Sequence, residues 1–167
     1  ETQLATCPMQ GGYYYLDISP DDKTLAVYND DSKAARTGIY FIDLTSDNFE
    51  MTRFSCDSEC NYKDRDMAFS PDGKYLAVTR RLNRLSENIY LVNIKTKATE
   101  QITFDEGDIV GMSWFENSQK LVFAVRRADT RFGFIIDIDN KISTPLDLTG
   151  FSYPSIAKQS QQLYYQE

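Results

Sequence analysis

Ser70-Pro71-Asp72-Gly73-Lys74-Tyr75-Leu76-Ala77-Val78 reads as a strand end, a tight turn and a second strand, and it recurs. Upstream, Ser19-Pro20-Asp21-Asp22-Lys23-Thr24-Leu25-Ala26-Val27 is a near copy. Proline presets φ for the second position of a type I turn, aspartate suits the third, and glycine takes the left-handed conformation that follows. Asp22 stands where the second copy has Gly73, and aspartate tolerates that conformation at some cost. Such self-similarity predicts a repeated architecture, with the turn as punctuation inside each unit.

Outward from the two turns the same order of elements repeats. Gly38 to Leu44 and Asn88 to Ile94 share Ile-Tyr, two apolar residues, Asp or Asn, and an aliphatic residue. A third unit is degenerate: Gly111 to Phe115 enters a turn at Glu116-Asn117-Ser118-Gln119, and Lys120 to Val125 leaves it. The second-strand leucines, Leu25, Leu76, Leu121 and Leu163, stand 51, 45 and 42 residues apart. Four short strands in about 40–50 residues is the period of a β-propeller blade. A sandwich also predicts short strands and regular turns, but not one sequence recurring at every fourth strand. The expected fold is all-β: a single propeller domain or propeller fragment over residues 1–167. Its four-stranded antiparallel blades fall at about 13–54, 66–104 and 110–149, with a partial blade made by 155–166 and 2–6.

Composition narrows the function classes. With 18 Lys and Arg against 25 Asp and Glu, the net charge is −7, which disfavours direct nucleic-acid binding because phosphate contacts need a clustered positive field. No apolar run approaches the ~18 residues of a membrane span, so membrane attachment would come through parent-chain segments outside this sequence. A start at Glu1, without initiator Met or leader-like run, reads as a piece excised from a longer chain. The absence of His rules out a Ser-His-Asp triad within these residues, and no Gly-x-Ser-x-Gly elbow, Walker loop or dinucleotide fingerprint occurs. The expectation is therefore a non-enzyme without cofactor or metal. Asp64 and Asp66, like Asp105, Glu106 and Asp108, read as solvated loop carboxylates. Asp105-Glu106-Gly107-Asp108 lacks the ligand spacing of a calcium loop.

The stretch Ser70 to Val78, followed by Ile89-Tyr90-Leu91, resembles the TolB-type propeller repeat. That repeat has a Ser-Pro-Asp-Gly-Lys turn before an aliphatic strand, then an Ile-Tyr strand ending in Asp or Asn. The Gly-His and Trp-Asp pairs of ordinary WD repeats are missing, and Trp114 is followed by Phe115. The resemblance implies three settings. One is TolB itself, a periplasmic protein-binding propeller of the bacterial envelope. Another is the propeller that caps a prolyl-oligopeptidase-family peptidase. The third is the extracytoplasmic region of membrane-tethered transcription regulators similar to CadC and ToxR. That third setting is the leading expectation: a sensory or protein-interaction module in signal transduction, on the periplasmic side of an inner-membrane protein.

Two groups of residues are candidate sites. In a propeller, the loops between second and third strands open on the face where successive blades are linked. Those loops are expected to hold Arg80, Arg81 and Arg84 in one blade and Arg126, Arg127 and Arg131 in the next. Guanidinium forks suit carboxylate or phosphate, so this rim is the candidate face for a protein partner or a small anionic ligand. The competing reading pairs these arginines with Asp64, Asp66, Asp105, Glu106 and Asp108 on the same face. Cys56 and Cys60 are close enough in sequence for a local disulfide, which would imply an oxidising compartment; two unpaired loop thiols are the other reading. Cys7 is left over and is expected to be free. Open propeller ends expose strand edges, which would allow a homodimer joined end to end.

Overall fold

The structure, a computed structural model, describes residues 15–29, 37–55, 63–81, 86–104, 107–157, 160 and 162–167. The expected N-terminal strand at 2–6, the three cysteines, Arg84, Asp105 and Glu106 lie outside the described residues.

Every regular element described is a strand, and the strands form four-stranded antiparallel meanders in chain order. The first comprises β1 (Leu16–Ile18), β2 (Thr24–Asn29), β3 (Gly38–Asp43) and β4 (Met51–Arg53). The second comprises β5 (Lys63–Phe69), β6 (Tyr75–Arg81), β7 (Glu87–Asn93) and β8 (Thr99–Gln101). The third comprises β9 (Asp108–Trp114), β10 (Lys120–Arg127), β11 (Thr130–Asp137) and β12 (Ser143–Thr149). A two-stranded piece follows, β13 (Ser152–Ile156) and β14 (Leu163–Gln166).

The Ser-Pro-Asp turns form as their residues dictate. Ser70 Oγ donates to Asp72 Oδ1 at 2.7 Å and accepts the Tyr75 amide at 2.9 Å, while Lys74 N donates to Asp72 Oδ1 at 3.1 Å. Ser19 and Asp21 repeat these bonds in the first blade. Asp22 and Gly73 both take positive φ, 58° and 69°. In the third blade the left-handed residue is Ser118, at φ 58°, and Ser118 N donates to Phe115 O. The turn is therefore Phe115-Glu116-Asn117-Ser118, one residue earlier than the sequence pattern suggests. At the other end of each third strand, Asp43, Asn93 and Asp137 accept amide hydrogens from the residues that follow. These Asx-type turns explain the recurring Asp or Asn.

The core lies in the seams between blades. Leu76, Val78, Met67 and Phe69 of the second blade pack with Ala26, Tyr28, Ile39 and Phe54 of the first. From the opposite face, Ala68, Ala77 and Leu91 pack with Trp114, Leu121, Phe123 and Val125 of the third. Strands buried on both faces read as continuous apolar runs, as Leu76-Ala77-Val78 does. Inner strands are also joined by side chain to backbone. Asp17 Oδ2 accepts the Phe69 amide at 2.7 Å, Ser113 Oγ accepts the Ile156 amide at 3.0 Å, and Trp114 Nε1 donates to Ala68 O at 3.0 Å.

Candidate functional site: the arginine rim and the axial cavity

Pairing carries the strands further than their composition suggests. Arg80 and Arg81 lie opposite Asn88 and Glu87, and Arg126 and Arg127 lie opposite Arg131 and Thr130. Arg80 and Arg81 are thus strand residues of β6, Arg126 and Arg127 end β10, and Arg131 lies in β11; the loop positions expected from sequence do not hold. The described arginines serve different ends. Arg80 is 8% exposed and grips the fully buried Asp64 with both arms of its fork, at 2.7 and 2.9 Å, with its guanidinium 4.6 Å from the Tyr90 ring centre. Arg81 reaches Asp108 at 2.5 Å and lies 3.9 Å from Glu87. Arg126 holds the other oxygen of Asp108 at 2.6 Å, and this bond, foremost, keeps the Asp108 carboxyl below the usual range. Arg127 lies over Phe134 at 5.5 Å. Arg131 keeps a buried Nε for which no hydrogen-bond partner is found among the described residues.

Two further residues complete this network and were not singled out from sequence. Glu87, fully buried, accepts from Arg65 Nε at 3.0 Å and Nη2 at 2.5 Å and from the Ile109 amide at 3.0 Å. It therefore ties the second blade to the third. Its arginine lies two strands away in the same blade and its amide partner in the next, so the signal is visible only once the strands are paired and the blades docked.

The second region lies on the axis, where β1, β5, β9 and β13 line a cavity of about 740 Å³. Counted back three residues from the last residue of each inner strand, Tyr15, Asp66, Gly111 and Tyr153 occupy equivalent positions, and all four line it. At this level the register slips in three successive blades: between Asp64 and Met67, between Phe123 and Val125 opposite β9, and between Ser152 and Ser155. A bulge re-aims side chains and strains backbone. Gly111 has φ 97°, and a Cβ there would fall 2.8 Å from Tyr153 Cα. Tyr153 itself has φ 48° and is 46% exposed.

Asp66 is half-buried: protein encloses it except toward the cavity. Its carboxylate accepts the Met67 amide at 2.8 Å. Burial, helped by the negative charges of Glu87 and Asp17, pushes its pKa up to about 7, against the Met67 bond and the Arg65 charge. The Tyr15 hydroxyl is raised too, first by burial and then by Asp66. Asp64 and Asp66 are therefore not solvated loop carboxylates. Asp64 is buried against Arg80 of the neighbouring strand, while Asp66, across the bulge, lines the axial cavity. Among the described residues that line the cavity there is no Lys or Arg, while Asp17, Asp66 and Glu116 are there.

No protein-family model matches the sequence, and no curated protein does. Solved structures do. A protein assigned as TolB from Agrobacterium tumefaciens superposes with a TM-score of 0.75 at 17% identity, over 95% of this chain and 58% of its own. TolB from Acinetobacter baumannii gives 0.71 at 20% identity, over 89% and 36%. The fold is that of a TolB-like β-propeller. An auxiliary nutrient binding protein from Bacteroides thetaiotaomicron gives 0.67 at 16% identity, over 93% and 36%. Puromycin hydrolase is among the further similar structures. The chain spans between about a third and three fifths of the TolB structures it matches.

Proposed function

We propose that the chain is a non-catalytic binding module of a larger extracytoplasmic protein, and that its ligand enters the axial cavity. The observation that carries this is the bulged level of the inner strands. It places a carboxylate and two tyrosines around a space of about 740 Å³, and it keeps strained backbone at Tyr153. Strain of this kind persists where the surroundings over-determine it, and it concentrates at ligand clamps. The absence of His from the whole sequence supports a role in binding rather than in acyl transfer.

Among parent settings, the sensory part of a membrane-tethered transcription regulator is the one we propose, on the resemblance of the repeat. The fold likeness to puromycin hydrolase favours a second reading, a propeller that gates a peptidase domain. The flanking sequence of the natural gene separates them: a winged helix with a membrane span, or a hydrolase domain. The binding reading has its own test. A photo-crosslinking side chain is placed at Ser155, in the cavity, and separately at Arg127, on the rim, in the full-length protein in its cell. The expected partner crosslinks from Ser155. Crosslinks from Arg127 alone would return the binding face to the arginine rim.

A further inference from the structure

The axial level has a definite chemistry. Asp66 is held in a space whose other equivalents are Tyr15, Tyr153 and the side-chain-free Gly111. Gly111 opens one wall, and Tyr15 and Tyr153 line the same level. The charged and titratable groups acting on Asp66 come from several elements. They are Asp17 on β1, Arg65 on β5 and Glu87 on β7, while Tyr15 precedes β1. Arg65 is the positive one, and both its described bonds go to Glu87. The local field on the cavity side is thus negative. An anion entering here would meet like charge without a compensating cation in the lining. A cation would gain a carboxylate at close range in a lining that also holds two tyrosines, a residue type whose ring face attracts positive charge.

We propose that the level formed by Tyr15, Asp66, Gly111 and Tyr153 takes the cationic side chain, lysine or arginine, of a protein or peptide partner. This rests on the axial-binding reading and goes beyond it by giving the ligand a sign and a shape. It also reverses the sign expected from the arginine rim. The incoming cation supplies the charge that Asp66 lacks within the fold, so the carboxylate ionises more readily when the site is occupied. Binding therefore strengthens as pH rises through about 7.

The test uses two pairs of capped amino acids on the full-length protein, followed by NMR titration at pH 8. N-acetyl-lysine methylamide is compared with its Nε-acetylated counterpart, and N-acetyl-arginine methylamide with the citrulline analogue. At least one cation is expected to bind about 10-fold more tightly than its neutral counterpart, as a charge-assisted hydrogen bond provides. That preference should shrink at pH 5.5 and vanish in Asp66→Asn. Tyr153→Ala, a change at an exposed position, should weaken the cation more than the neutral analogue, which keeps the proposal testable should Asp66→Asn fold poorly. Equal binding of both cations and their neutral counterparts overturns it, as does a cation preference that survives Asp66→Asn. If Ser155 crosslinks to a partner while cations and neutrals bind alike, the cationic assignment fails and the axial-binding reading stands. If no crosslink forms from Ser155, the axial-binding reading itself fails.

Discussion

The ion-pair network of the second and third blades and the axial cavity treat carboxylates in opposite ways. In the network, Asp64 is matched by the fork of Arg80 within the second blade, Glu87 by Arg65 of the same blade, and Asp108 of the third blade by Arg81 of the second and by Arg126. On the axis, Asp66 has one backbone amide and a pKa pushed up to about 7, in a lining without Lys or Arg among the described residues. The difference separates charge compensated within the fold from charge kept at a cost to folding. A buried charge left short of a partner lowers stability, and such groups gather where binding uses them.

The largest effect is expected in the ion-pair network. Arg80→Ala leaves the fully buried Asp64 uncompensated and should cost about 3–5 kcal/mol in urea unfolding. A loss below about 1 kcal/mol would place that pair among the weakly coupled surface bridges. Next comes the bulge on the axis. Gly111→Ala combines φ 97° with a Cβ 2.8 Å from Tyr153 Cα and should cost about 1–3 kcal/mol, with the Tyr153 resonances shifting. Asp17→Ala orphans the buried Phe69 amide and should also lose about 1–3 kcal/mol, while Asp17→Asn retains an acceptor and should lose less.

Asp66→Asn should behave in the opposite sense, and its pH dependence sharpens the contrast. The folded pKa, about 7, lies above the ordinary 3.8. The contribution of Asp66 to stability is therefore full below about pH 4 and is lost as pH rises through 7. Asn at this position should stabilise the fold by roughly 1–2 kcal/mol at pH 8, allowing for screening by cavity water, and not at pH 4. The smallest effect belongs to Arg126→Ala on the exposed rim, about 0.2–1 kcal/mol and shrinking with added salt.

What the sequence discloses follows from how local each interaction is. The Ser-Pro-Asp turns, the left-handed residue at Asp22 and Gly73, and the terminal Asp43 and Asn93 bond to neighbours within a few positions, so spacing alone reveals them. The ion-pair network and the axis depend on pairs far apart in the chain, such as Arg65 with Glu87 and Asp17 with Phe69. Strict alternation would put Asp64 and Asp66 on one face of β5. The register slip between Asp64 and Met67 breaks that phase and gives the two carboxylates opposite fates. A bulge of this kind has no composition mark at Arg65 or Asp66. In the third blade the degenerate turn hid its register by one residue, because Phe115 stands where the other blades have the serine that fixes the frame.

The charge state of Asp66 decides whether the axis differs from the ion-pair network. A pH titration of the wild-type protein, followed through the side-chain carboxyl carbon of Asp66 by NMR, measures it directly. The expected midpoint is near 7. A midpoint near the ordinary 3.8 would mean that the axial carboxylate is as well compensated as those of the ion-pair network, and the contrast between the two regions would fall.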